Sequence, residues 1–224
     1  MGFIKDHMVT DPVLQARIIA RVRAARLPDQ PDRAVHDLGH IGLPDGTSRR
    51  LFARHAADAV MLDRFGNVVL ITRLHHPGAG KLALPGGFID DIDGLVENGL
   101  AAALREAVEE TGVPAARLAS CENFAIGPRR FDRPFDIRAA WNHLPGTNIA
   151  PGDLFTVSTR GFGFILPGSL RALALTAGDD AKAVRVSATA GLAAALFAVP
   201  DHLLMIREAE AVLQNRRPDY TAGN

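Results

Sequence analysis

The sequence predicts an α+β domain on three observations: an amphipathic segment near the N-terminus, a pair of apolar runs joined by a turn, and an alanine- and leucine-rich helix with strand candidates around it. In residues 11–27, Val13, Leu14, Ile18, Ile19, Val22 and Leu27 recur at helical spacing, and Pro28 and Pro31 end the run. Gly42 to Gly46, with Pro44 and Asp45 at its centre, is a turn between short strands. Residues 57–62 and 68–73 are the arms of a hairpin closed by Asp63-Arg64-Phe65-Gly66-Asn67. A Gly/Pro-rich passage, 76–87, encloses the apolar run Leu82-Ala83-Leu84. Residues 100–111 then form a helix that Asn98 caps and Gly112 stops.

Further strands are expected at 118–126 and 137–144, followed by an insertion, 145–175, that carries Phe162, Phe164 and Ile165 inward on a hairpin. A strand at 183–188, a short helix at 190–197 and a closing helix at 201–214 complete the chain, the last with Leu204, Ile206, Ala209 and Leu213 on its buried side. This divides the chain into an N-terminal arm of helix and short strands (1–54), a domain (55–216) that includes the insertion, and a flexible tail (217–224).

Twenty-five basic residues cancel 25 acidic ones, so no global field draws the chain to nucleic acid or to an anionic membrane, and neither is expected as a partner. Phosphate binding must come from local geometry. The single cysteine, Cys121, excludes an internal disulfide framework and a cysteine-built zinc site; it reads as a small buried hydrophobe and suits the reducing cytoplasm. No apolar run reaches the length of a membrane span. Met8 follows His7, so residues 1–7 read either as an added leader or as an upstream start.

The chemistry is concentrated in Arg105-Glu106-Ala107-Val108-Glu109-Glu110-Thr111-Gly112-Val113. On a helix Glu106 and Glu110 lie one turn apart with Glu109 beside them, near a C-terminus whose dipole disfavours negative charge. Two readings fit: a solvated acidic face, or a face that gathers a hard divalent cation, which would offset the repulsion. Leu100, Leu104 and Val108 form an apolar stripe about 200° away, which predicts a core face opposite the acidic one. Arg105, four residues before Glu109, is placed to hold that carboxylate.

Glu97, seven residues and then this run resemble the signature of the Nudix hydrolases, with Leu84-Pro85-Gly86-Gly87-Phe88 ahead of it as in that family. The sequence departs from the pattern once: Gly87 precedes Glu97 by nine residues where five are expected, an apparent four-residue insertion within residues 89–96. Asp90, Asp91 and Asp93 in that stretch either bind metal or face water.

The resemblance implies an α/β/α sandwich with a mixed sheet, and a pyrophosphohydrolase dependent on Mg²⁺ or Mn²⁺. It also implies Glu106, Glu109 and Glu110 as metal ligands, with the Gly87 carbonyl completing the shell, Arg105 as the residue that orients them and Glu97 as a support at the loop–helix junction. The arm occupies the place of the segment through which many ADP-ribose-type members dimerise, which implies a homodimer.

A base must take the proton of the attacking water, and Glu106 or a loop acid, Asp179 or Asp180, can serve; the aspartates equally suit a turn. The segment Gly127-Pro128-Arg129-Arg130-Phe131-Asp132-Arg133-Pro134 reads either as an exposed basic loop or as a clamp for phosphates and a base, with Arg129, Arg130, Phe131 and Arg133 as its contacts. It resembles the corresponding loop of family members that act on ADP-ribose or serve NAD metabolism. Lys81, Arg138, His75 and His76 are further candidates for phosphate or ribose.

The expected reaction is hydrolysis of ADP-ribose to AMP and ribose 5-phosphate. The competing readings are another nucleotide pyrophosphatase specificity (NADH, a nucleoside diphosphate sugar, a nucleoside triphosphate or a dinucleoside polyphosphate) and a non-catalytic ADP-ribose sensor of the same fold.

Overall fold

The computed structural model describes residues 9–75, 78–131, 135–136 and 149–215. Helix α1 (Pro12–Ala24) starts at Asp11, whose carboxylate accepts from the Val13 and Leu14 amides, and it buries Leu14, Ile18 and Val22. Those side chains pack on Leu51 and Leu154, so the arm is seated on the main sheet. Strand β1 (Val35–Gly42) pairs antiparallel with the first half of β2 (Ser48–Leu62), and the boundary expected at residue 54 falls inside that 15-residue strand.

Strand β3 (Asn67–Arg73) follows the expected turn, yet it pairs with β2 only at Leu62↔Val68. Beyond that point the two strands take separate partners. Strand β4 (Leu82–Ala83) joins β3, and β5 (Gly86–Phe88) joins β2 across Ala56, Ala57 and Asp58.

Residues 145–175, expected as an insertion, instead supply a central strand. Numbering the remaining strands in chain order, β6 (Asp91–Ile92) and β7 (Leu95–Val96) form a separate hairpin, and β8 (Glu122–Phe131) precedes β9 (Phe135–Asp136). Then β10 (Leu154–Ile165) runs parallel to β2 along its whole length, with β8 on its other side. Strand β11 (Ala181–Ala188) closes the far edge against β3, giving the order β11-β3-β2-β10-β8.

Helix α2 (Gly99–Thr111) covers one face of this sheet and α4 (Asp201–Asn215) the other, with the short α3 (Ala115–Ala119) following α2. Alternation along β2 makes the two layers: Ala57, Ala59 and Met61 meet α2, while Val60 and Leu62 meet Met205, Ile206, Ala209 and Leu213 of α4. Leu204, expected on the buried side of α4, is exposed, and His202 is buried instead. The expected helix at 190–197 is two 3₁₀ turns, Thr189–Gly191 and Ala194–Leu196. Among the described residues no helix is long and apolar enough to cross a membrane.

One buried carboxylate organises the β2–β3 turn. Asp63 accepts from the amides of Phe65, Asn67 and Leu170 and from the Asn67 side chain. Burial alone would raise its pKa, but these donors together hold it below the usual value. Its contribution to stability is therefore complete above the unfolded carboxylate range and lost as pH falls through the lower folded value. Asp63→Ala leaves several N–H donors without an acceptor and is expected to cost about 3 kcal/mol in urea unfolding at neutral pH, a deficit that shrinks in acid. A variant as stable as its parent at pH 7 would contradict this role.

Candidate active site

Helix α2 has the predicted ends: the Asn98 side chain accepts from the Leu100 amide, and Gly112 takes a left-handed φ of 69°. The expected stripe, Leu100, Leu104 and Val108, packs against the core but is only partly buried, and Gly99, Ala102, Ala103, Ala107, Glu110 and Thr111 form the fully buried face. Small side chains let the helix lie close to the sheet, so Glu106 and Glu110 turn inward among alanines rather than out to solvent.

They turn toward the Leu84–Phe88 segment. The Gly86 amide donates to Glu110 Oε2 at 2.9 Å, and a Cβ on Gly87 would overlap the Glu106 carboxylate, so only glycine permits this approach. Glu110 is 7% exposed. Burial pushes its pKa up to about 8, with Glu106 and Asp58 adding to the rise and the Gly86 amide and Arg73 opposing it. Glu106 is raised too, by burial first, against the pull of Arg105.

Arg105 ties the acids together. Its Nε and Nη2 donate to the two Glu97 oxygens at 3.1 and 2.9 Å, Nη1 to Glu106 at 2.8 Å and to Glu109 at 3.2 Å, and Nη2 also to the Phe88 carbonyl at 3.0 Å. The bidentate pairing with Glu97 leads the causes that raise the guanidinium pKa. Glu109 itself is largely exposed.

The extra residues between Gly87 and Glu97 leave this geometry intact, because they form the β6–β7 hairpin. The hairpin ends meet at Asp90 and Glu97: the Glu97 amide donates to the Asp90 carbonyl at 2.9 Å, and its turn residues Asp93 and Gly94 both take positive φ. Asp90 lies 3.5 Å from Arg105, and Asp91 accepts from the Gly94 amide within the turn.

The segment bearing Asp179 and Asp180 reaches the C-terminal end of α2, where the Thr176 and Gly178 amides donate to the carbonyls of Thr111 and Glu110. Asp180 lies 3.7 Å from His75, and both aspartates are exposed. Lys81 is exposed in a turn whose backbone pairs with Arg73. The backbone of Arg129, Arg130 and Phe131 lies at the end of β8. Their side chains lie outside the description, as do Arg133, Arg138, His76, the strand expected at 137–144, and the tail. Cys121 is buried, and burial raises its thiol pKa.

Four further residues meet here. Asp58 and His202 are both buried, 3.5 Å apart, and the His202 Nδ1 accepts from the Leu84 amide at 3.0 Å. The Arg54 guanidinium lies 3.5 Å from the centroid of the Phe88 ring, and burial draws its pKa down to about 10 against the pull of Asp90 and Glu106. Arg73 acts electrostatically on Glu110, and its buried Nε has no hydrogen-bond partner among the described residues. No sequence signal marks these four: none belongs to a motif, and only folding brings Asp58, Arg54 and Arg73 to the glutamates and His202 to the Leu84–Gly86 turn.

Among the described residues no three His, Cys, Asp or Glu side chains converge as a ready-made cation site, since Arg105 and the Gly86 amide already engage the glutamates. The donor set nonetheless fits a hard divalent cation. It is all oxygen, and Glu110 is buried and Glu106 partly so, where burial and neighbouring carboxylates oppose their charge, a penalty that a cation removes.

The NUDIX domain family model matches residues 53–156. Solved structures similar to the chain include the NUDIX domain of Shewanella oneidensis NrtR complexed with ADP ribose (20% identity, 76% of this chain and 93% of that one, TM-score 0.49). Another is a bifunctional NMN adenylyltransferase/ADP ribose pyrophosphatase of Francisella tularensis complexed with AMP and a Mn ion (20% identity, 92% of this chain and 48% of that one, TM-score 0.46). A third is S. oneidensis NrtR complexed with a 27mer DNA (19% identity, 72% of this chain and 62% of that one, TM-score 0.44). The ligands and the DNA named are those proteins' own. No curated protein matches. The motif on α2 lies within residues 53–156, the stretch that the NUDIX domain family model matches.

Proposed function

We propose that the chain hydrolyses the pyrophosphate bond of a nucleoside diphosphate derivative, with ADP-ribose as substrate and AMP and ribose 5-phosphate as products. The observation that carries this reading is the pair of carboxylates, buried Glu110 and partly buried Glu106, turned toward Gly86 and Gly87, with Arg105 holding Glu106. A Mg²⁺ or Mn²⁺ ion held by Glu106, Glu110, Glu109 and the Gly87 carbonyl would neutralise phosphate oxygens and acidify the attacking water. Arg105 and Glu97 keep the carboxylates in place. Arg73, whose charge acts on Glu110, supplies a cation beside them. Arg129, Arg130, Phe131 and Arg133 are the proposed contacts to the rest of the nucleotide, with Lys81 at the rim. Asp179 or Asp180, at the end of α2, is the proposed base. The cytoplasm, where such nucleotides occur and thiols stay reduced, is the proposed location, and a homodimer the proposed assembly.

The test is a panel of ADP-ribose, NADH, nucleoside diphosphate sugars, diadenosine polyphosphates and nucleoside triphosphates with Mg²⁺ or Mn²⁺, read by release of phosphate monoesters. ADP-ribose is expected to have the highest kcat/KM, and one of Asp179→Asn and Asp180→Asn is expected to lower kcat about 10²-fold or more. Tight ADP-ribose binding with no turnover of any member would reject the hydrolase in favour of a sensor.

A further inference from the structure

The Leu84–Gly86 turn, which brings its amide to Glu110, is gripped from both layers of the sandwich. From within the sheet, the Ala59 amide donates to the Pro85 carbonyl at 2.8 Å, and Gly86 stands opposite Asp58 in the β2–β5 ladder. From α2, Glu110 accepts from the Gly86 amide. From α4, on the other side of the sheet, His202 accepts the Leu84 amide on Nδ1 at 3.0 Å. A ring that accepts on Nδ1 carries its proton on Nε2 when neutral, and Nε2 lies 3.5 Å from Asp58 Oδ2. Nδ1 thus faces the turn that leads into Gly86, and Nε2 faces the residue of β2 paired with Gly86.

We propose that His202 is a positioning residue for the candidate site, bracing the Leu84–Gly87 turn against Asp58 so that Gly86 and Gly87 stay in register with Glu110 and Glu106. The inference rests on the reading of those glutamates as cation ligands. It assigns α4 a part in the site although the helix packs on the opposite face from α2. A histidine that only fills the core would be replaceable by any ring of similar size. A brace needs an acceptor at the place of Nδ1. Asparagine offers one at the place of Nδ1, glutamine places its amide near Nε2, and phenylalanine keeps the volume with neither.

The experiment measures Mn²⁺ affinity of the full chain by calorimetry, with kcat and the melting temperature alongside, for wild type and for His202→Phe, His202→Asn and His202→Gln. Loss of a supporting contact of this kind typically costs about 10–100-fold in metal affinity. The expected result is a weakening in that range for His202→Phe, with kcat falling alongside, and recovery to within a few-fold of wild type for His202→Asn. A folded His202→Phe with wild-type Mn²⁺ affinity and kcat, changed only in melting temperature, overturns the brace. If His202→Phe does not fold, the amide pair decides: asparagine near wild type with glutamine weakened supports it, and equal behaviour of the two overturns it. Mn²⁺ affinity is read without turnover, so a chain that binds Mn²⁺ but cleaves no nucleotide still reports on the brace while rejecting the hydrolase. A wild-type chain that binds no Mn²⁺ rejects the cation-ligand reading and the brace with it.

Discussion

Glu110→Gln is expected to lower turnover by about 10³-fold while leaving the metal-free protein at least as stable as wild type, about 4 kcal/mol of transition-state stabilisation lost with no loss of fold. The two halves of this result have one cause. The Glu110 carboxylate is buried, and its charge is opposed by burial and by Glu106 and Asp58. A glutamine of the same shape keeps an oxygen for the Gly86 amide and removes the disfavoured charge. What it cannot do is hold a cation. Melting curves with Mn²⁺ are therefore expected to show stabilisation of wild type, about 2.7 kcal/mol at a hundredfold excess over Kd, and much less for the variant. A variant that melts well below wild type without metal, yet turns over normally, would make Glu110 a structural acid.

The opposite pattern is expected for Arg105→Ala, which should destabilise the metal-free protein by about 3–5 kcal/mol, because it strips the counter-charge from partly buried Glu97 and Glu106. The Phe88 carbonyl loses a donor at the same time. Arg105→Lys keeps the charge, but a single ammonium cannot reproduce the planar fork that reaches both Glu97 oxygens and the Phe88 carbonyl, so its cost falls between the two. Mn²⁺ should restore part of the loss, since it neutralises the same carboxylates. Thermal melting of the three proteins with and without Mn²⁺ checks this, and an alanine variant that melts with wild type would remove Arg105 from the account.

The legible part of the site was the part carried on one helix. Arg105, Glu106, Glu109 and Glu110 sit at spacings that a helix converts into proximity, and Glu97 is one hairpin end away. Asp58, His202, Arg54 and Arg73 were not legible, because their contacts are set by sheet register and by a helix far along the chain: Leu84 and His202 are 118 positions apart. The core face of α2 was legible only in part. Leu100, Leu104 and Val108 do pack against the core, but the fully buried side runs through the alanines, whose size lets the helix approach the sheet.

The central place of β10 was not legible, since its glycine-rich sequence was assigned to a hairpin within an insertion. A Cβ at Gly163 would run into the Phe124 ring, and one at Gly161 would press on Met205 and Ile126. The glycines make room for close packing on neighbouring elements. Elements with clear ends were placed well, as with α2 between Asn98 and Gly112 and α1 behind Asp11.

Cleavage of a pyrophosphate by these residues can be followed by ³¹P NMR of ADP-ribose incubated with the full chain and Mg²⁺, the NMR-compatible cation. The diphosphate resonances are expected to disappear and to be replaced by two phosphate-monoester resonances, those of AMP and ribose 5-phosphate, with no such change for Glu110→Gln. Diphosphate resonances that persist with the wild-type chain, or that vanish equally with Glu110→Gln, would contradict it.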